Sequence, residues 1–145
     1  MPAESCPLPS RSPAVEASAI DRMLKAKRIA VVGMSDDPDR PSHGIGGYLL
    51  AHGYEVIPVN PSHDAVLGKK CYGSLADVPG EIDLVNVFRR PEFCADVTRE
   101  AIAAGAKGVW LQAGIRNEEA GRLAAEAGIG FVQDRCIMVE HMQRR

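Results

Sequence analysis

Short apolar runs rich in Val and Ile return along this chain about every 25 residues, at 28–33, 54–59, 83–88, 107–112 and 130–133. Unbroken runs of this length suit parallel strands buried on both faces, where alternation with polar residues is lost. Between them the apolar spacing becomes helical: Ile45, Tyr48, Leu49 and His52; then Cys94, Val97, Ala101 and Ala104; then Ala120, Leu123, Ala124 and Ala127. Ile20, Met23 and Leu24 predict an opening helix capped at Ser18, with Asp21 completing a capping box. Ser42 and Asn117 stand where helix caps belong and Pro91 suits a first helical turn. Gly53, Gly105 and Gly128 occupy terminating positions. Residues 62–80 break the rhythm with Gly68, Gly73 and Pro79 around a short helical turn from Ser74, which reads as an irregular crossover.

The alternation predicts a Rossmann-like, doubly wound α/β domain over residues 15–145. Its five-stranded, mainly parallel sheet should carry helices on both faces. Pro2, Pro7, Pro9 and Pro13 among Ser and Arg predict a disordered leader over residues 1–14.

Composition narrows the function classes. A net charge of -2 gives no long-range field to hold a polyanion, so nucleic acid is not an expected principal partner. No apolar run approaches a membrane span and the start lacks a secretory core, so a cytoplasmic protein is expected. Cys6, Cys71, Cys94 and Cys136 form no paired motif, and disulfides are not expected.

In open α/β sheets, ligands bind beyond the carboxyl ends of the strands. The first strand runs into Gly33-Met34-Ser35, and the next helix starts near Ser42 and Gly44, an anion-binding geometry. Gly44, Gly46 and Gly47 would let a pyrophosphate or a neighbouring strand approach the backbone; helix packing alone is the rival reading. A nicotinamide dinucleotide fits poorly: there is no GxGxxG, and the second strand ends in Asn60 rather than an acid. Asp at position 60 should be tolerated by the fold, since either side chain can serve the local turn. Arg40 and His43, Lys69 and Lys70, and Arg89 and Arg90 gather in successive carboxyl-end loops, as for a small polyanion. Solvated charge remains the favoured reading for Lys70 and Arg116.

Several stretches together resemble one family. These are Val32-Gly33-Met34-Ser35, Arg40-Pro41-Ser42, Gly53-Tyr54-Glu55-Val56, Val59-Asn60-Pro61, Phe88-Arg89-Arg90-Pro91, the run from Trp110 to Ile115, and Asp134-Arg135-Cys136. Over roughly Ile20 to His141 the chain resembles the free-standing CoA-binding domain proteins, similar to the N-terminal domain of the succinyl-CoA synthetase α subunit. The resemblance implies that Gly33, Ser35, Arg40 and Ser42 line a pyrophosphate, and that Asn60 and Pro61 flank the adenosine. Lys69 joins this cationic set. Phe88 and Arg89 follow on the third strand, while Gln112, Gly114 and Ile115 face the pantetheine arm. His43 replaces the aromatic residue expected after Arg-Pro-Ser. The synthetase's phosphorylatable histidine belongs to a second domain that the matched stretch does not include.

The expected function is therefore binding of CoA or an acyl-CoA, with no catalytic residue and no metal ligand assigned. Two rivals stand beside it: a nucleotide-dependent enzyme, either an NAD oxidoreductase or an acyl-CoA transferase using Cys136, and an interaction subunit with a vestigial pocket. Glu140 and His141 follow Cys136, but a structural thiol is favoured, as for Cys71 and Cys94. His52 should pack and His63 lies beside Asp64. Asp36, Asp37 and Asp39 read as a polar turn before a helix.

Overall fold

The computed structural model describes residues 13–144. In chain order it contains helix α1 (Pro13–Met23), strand β1 (Arg28–Val32), α2 (Pro41–Ala51), β2 (Glu55–Val59), and a small hairpin of β3 (Ala65–Val66) and β4 (Lys69–Lys70). Then follow β5 (Leu84–Val87), α3 (Cys94–Ala103), β6 (Gly108–Leu111), α4 (Glu118–Ala127), β7 (Gly130–Val132) and α5 (Ile137–Met142). Single 3-10 turns occupy Leu75–Asp77 and Pro91–Phe93.

All five expected strands pair in parallel, in the order β2-β1-β5-β6-β7. Crossovers between parallel strands are right-handed, so stepping outward from β1 in opposite directions places helices on opposite faces. On one face, Ala30, Val32, Val85 and Val87 pack with Val97, Ala101, Ala120 and Ala124 of α3 and α4. On the other, Ile29, Val31, Leu84 and Trp110 pack with Ile20 of α1, Ile45 and Leu49 of α2, and Ile137 of α5. Successive residues of β1 thus serve two cores, which is why no polar alternation marks it. Each fully buried Val, Leu or Ile contributes about 1.5–3 kcal/mol relative to exposure.

Several local expectations are borne out. Asn117 caps α4 by accepting from the Ala120 N–H at 2.8 Å, and Gly128 ends that helix at φ 74°. Others need correction. Helix α1 begins at Pro13, so Ser18 is an interior residue whose Oγ accepts from Arg22, and Asp21 pairs with Arg144 at 2.5 Å instead of closing a capping box. Pro13 and Ala14, the last two residues of the expected leader, belong to α1, and residues 1–12 lie outside the described residues. Helix α2 is entered through Arg40 and Pro41, and Ser42 does not cap it. The irregular crossover holds the β3–β4 hairpin, turned by Leu67 at φ 53° and Gly68 at φ 74°. Leu67 packs against the α2-side core, and that packing holds a side chain in a conformation which turn composition would assign to Gly or Asn.

Candidate functional site

The order of the parallel strands reverses between β1 and β5, and that is where an open sheet of this kind forms a ligand crevice. At its floor the end of β1 is tied to both of its neighbours, β5 and β2. The Phe88 N–H donates to the Val32 carbonyl at 2.9 Å, and the Gly33 N–H donates to the Val59 carbonyl at 2.8 Å. Gly33 sits at φ 84°, and a Cβ there would lie 2.5 Å from the Phe88 carbonyl oxygen and 3.4 Å from Arg89 Cδ. Glycine is required here by the adjoining strand end, whatever binds above it.

The loop after β1 is held by its neighbours. The Ser35 N–H donates to Ser42 Oγ at 3.0 Å, and Ser35 Oγ accepts from the Asp37 N–H at 3.0 Å. Both hydroxyls retain a proton to donate. Ser42 is thus a brace between the loop and α2, a role that explains its burial. On the β2 side of this loop, Asn60 Nδ2 donates to the Met34 carbonyl at 3.1 Å while its Oδ1 accepts from the Ser62 N–H at 2.9 Å. His63 Nδ1 lies 3.6 Å from Asp36 Oδ2, a second link between the same two loops. Pro61, beside them, is exposed.

The helical glycines divide by role. A Cβ on Gly46 would overlap Met34 Cε, so that residue serves packing, whereas Gly44 and Gly47 face open space. The entrance of α2 is therefore bare on its outer side at Gly44, next to exposed Arg40 and half-buried His43.

Charge separates this end from most of the surface. Arg28, Arg99, Lys107, Arg116, Arg135 and Arg144 each pair with a carboxylate. Among the described residues Arg40, Lys69, Lys70, Arg89 and Arg90 have no such partner, although Lys70 lies over Tyr72 and Arg89 lies 4.6 Å over the Phe93 ring. The other described cations without a carboxylate partner are Arg122 and a group at the opposite end of the sheet, Arg22, Lys25 and Lys27.

Gln112, Gly114 and Ile115 follow β6, which lies on the other side of β5 from β1. Gln112 is buried, and its Oε1 accepts from Asn86 Nδ2 and from the Ile137 N–H, both at 3.2 Å, so its carbonyl is committed to the start of α5. Gly114, at φ 84°, donates its N–H to Asp134 Oδ1 at 2.7 Å, and Ile115 packs with the core on the α3 and α4 side. Sequence reasoning passed over Asn86, which is wholly buried in β5 between Val31 and Trp110. Its Nδ2 turns toward β6, donating to Gln112 Oε1 and toward the Trp110 carbonyl at 3.4 Å; its Oδ1 has no hydrogen-bond partner. An Asn inside a Leu-Val-Asn-Val run was the available signal, since buried polar groups need partners.

Glu140 is held by Arg135 at 3.4 Å and Arg144 at 2.8 Å, and His141 Nδ1 lies 2.7 Å from the Tyr48 hydroxyl. Burial raises the Cys71 thiol and pushes Cys94 up to about 11, so both stay protonated near neutrality. His52 stacks on Tyr48 at 4.0 Å between ring centroids. Among the described residues no cluster of three or more His, Cys, Asp or Glu is placed to hold a metal ion, and no helix is long and apolar enough to cross a membrane.

Residues 27–142 match the model of a family described as the CoA binding domain. The chain belongs to this CoA-binding domain family. Relatives fall into two kinds. The uncharacterized protein YneT of Bacillus subtilis is 47% identical over 119 residues, covering 82% of this chain and 88% of its own length. The α subunit of the ADP-forming acetate–CoA ligase II of Pyrococcus furiosus is 33% identical over 91 residues, which is 62% of this chain but only 20% of that subunit. A solved structure of a hypothetical protein from Pyrococcus horikoshii superposes with a TM-score of 0.85 at 40% identity, covering 98% of both chains. Within the CoA-binding domain family, then, this sheet occurs both as most of a short protein and as one part of a longer ligase.

Proposed function

We propose that this chain binds CoA or an acyl-CoA in the crevice between the carboxyl ends of β1 and β5. The observation that carries the reading is the recurrence of cations without a carboxylate partner, Arg40, Lys69, Arg89 and Arg90, in successive carboxyl-end loops, with an open helix entrance at Gly44. In a chain of net charge -2 such a set suits a small polyanion with several phosphates.

The residues present fit the molecule. Arg40, the hydroxyl protons of Ser35 and Ser42, and the bare backbone at Gly44 would receive the pyrophosphate. Arg89 would meet phosphate with its guanidinium face already seated on Phe93. Asn60 and Pro61 would border the adenosine, with Asn60 acting mainly by fixing the Met34 loop because both ends of its amide are engaged. Lys69 would add charge from the hairpin. Gln112, Gly114 and Ile115 would shape the far end, toward which the pantetheine arm points in this reading. Bound CoA supplies a thiol able to carry an acyl group, and this chain's part is to hold and orient it.

Native mass spectrometry of the purified protein tests the reading. The expected result is an adduct with the mass of CoA or an acyl-CoA, either retained from the cell or formed on addition of CoA. Absence of the adduct under both conditions overturns it.

A further inference from the structure

A groove of about 970 Å³ lies at the other end of the sheet, at the amino ends of the strands. Its floor includes Met23 and Gly130, where a Cβ on Gly130 would lie 3.2 Å from Met23 Sδ. One wall is made by α1 and the segment that follows it, which lie before the residues matched by the family. That wall is anchored. Glu16 pairs with Arg135 at 2.6 Å, Asp21 pairs with Arg144 at 2.5 Å, and the Tyr54 hydroxyl donates to the Leu24 carbonyl at 2.6 Å.

The anchoring uses up the acids and leaves the bases. Both described carboxylates of α1, Glu16 and Asp21, are engaged with Arg135 and Arg144. Inside the groove, Glu55 pairs with Arg28 at 3.1 Å, Glu81 with Lys107 at 3.5 Å, and Asp83 with Lys107 at 3.4 Å. Asp83 also accepts the N–H groups of Lys27 and Arg28, each at 3.0 Å. Every carboxylate of the groove is thus engaged, while Arg22, Lys25 and Lys27 are exposed and have no carboxylate partner.

We infer that this groove is a docking surface for an acidic protein segment carrying apolar side chains. Carboxylates of the segment face Arg22, Lys25 and Lys27, and its apolar groups rest against half-buried Ile129. The surface is independent of the carboxyl-end crevice, since the two lie at opposite ends of the same strands. An extended polyanion such as nucleic acid is disfavoured by the net negative charge of the chain.

The test uses a fluorescently labelled Glu/Leu peptide, with a Lys/Leu peptide as control, and follows anisotropy on addition of the full chain. The Glu/Leu peptide should bind alone, should weaken as salt is raised, and should not be displaced by CoA. The triple variant R22E/K25E/K27E should lose about tenfold or more in affinity while keeping the wild-type melting curve, with K25Q/K27Q falling between. Binding that is absent, unchanged in the triple variant, or displaced by CoA overturns the inference. So does tighter binding of a duplex oligonucleotide with the same sensitivity to the triple variant. A chain that binds the peptide but not CoA would sustain this surface and reject the proposed function.

Discussion

Asn60 and Met34 are joined by a hydrogen bond of 3.1 Å from side-chain amide to backbone carbonyl, and the loops after β1 and β2 are fixed to each other through it. An aspartate cannot make this bond, because a carboxylate has no proton to donate and would face the Met34 carbonyl lone pairs. The expectation that Asn60→Asp would leave the fold unchanged is therefore revised. The variant should lose about 1–3 kcal/mol in urea unfolding, with the Ser62 turn retained. An unchanged midpoint and slope would show that the tie between the loops carries no stability.

Two glycines separate packing from binding. Gly33→Ala places a methyl 2.5 Å from the Phe88 carbonyl at φ 84° and should destabilise the chain by several kcal/mol, about 2–4, through clash and backbone strain. Gly44→Ala meets open space and should hold or raise stability by up to about 1 kcal/mol. If phosphate rests on this helix entrance, the same methyl weakens CoA binding. Thermal melts and calorimetry on both variants check the contrast; equal stability losses would refute it.

Acid should expose the role of Asp83. Its carboxyl is held below the ordinary range, first by the Arg28 N–H and then by the Lys27 N–H and Lys107, with burial opposing. A lowered folded value means stability that is present above the unfolded range and lost as pH falls through the folded one. Asp83→Ala should cost about 1–3 kcal/mol near neutral pH, and the gap from wild type should narrow below about pH 4. Urea titrations across that range would contradict this if the gap stayed constant.

The thiols should react in a set order. Cys136 is half-buried, while Cys71 and Cys94 are buried and Cys94 is pushed up to about 11. In a Cys6→Ser background, one equivalent of iodoacetamide should label Cys136. Cys94 should react about a hundredfold more slowly than it does in the unfolded chain, because so little of it is thiolate. Peptide mapping that finds Cys94 labelled first would show that the β5–α3 junction opens.

The fold was legible because its strands are buried on both faces, which leaves uninterrupted Val and Ile runs, and because Asn117 and Gly128 obey local backbone rules. The hairpin was not, since Gly68 alone marks its turn and Leu67, beside it, takes a positive φ while packing on the α2-side core. Ser42 read as a cap because a serine before a helix usually is one, yet here its hydroxyl braces Ser35 across the loop. The cationic cluster was visible as recurrence in successive loops; that these cations lack acidic partners could come only from three dimensions. The buried Asn86 was a legible anomaly whose partners, Gln112 and Trp110, required the sheet register.

The proposal that this crevice takes CoA is tested most directly by calorimetric titration of CoA, dephospho-CoA and NAD under one salt condition. CoA should bind most tightly, and Arg40→Ala and Arg89→Ala should weaken it, as follows if these cations meet its phosphates. NAD binding as tight as CoA, or CoA binding indifferent to both arginines, would contradict it.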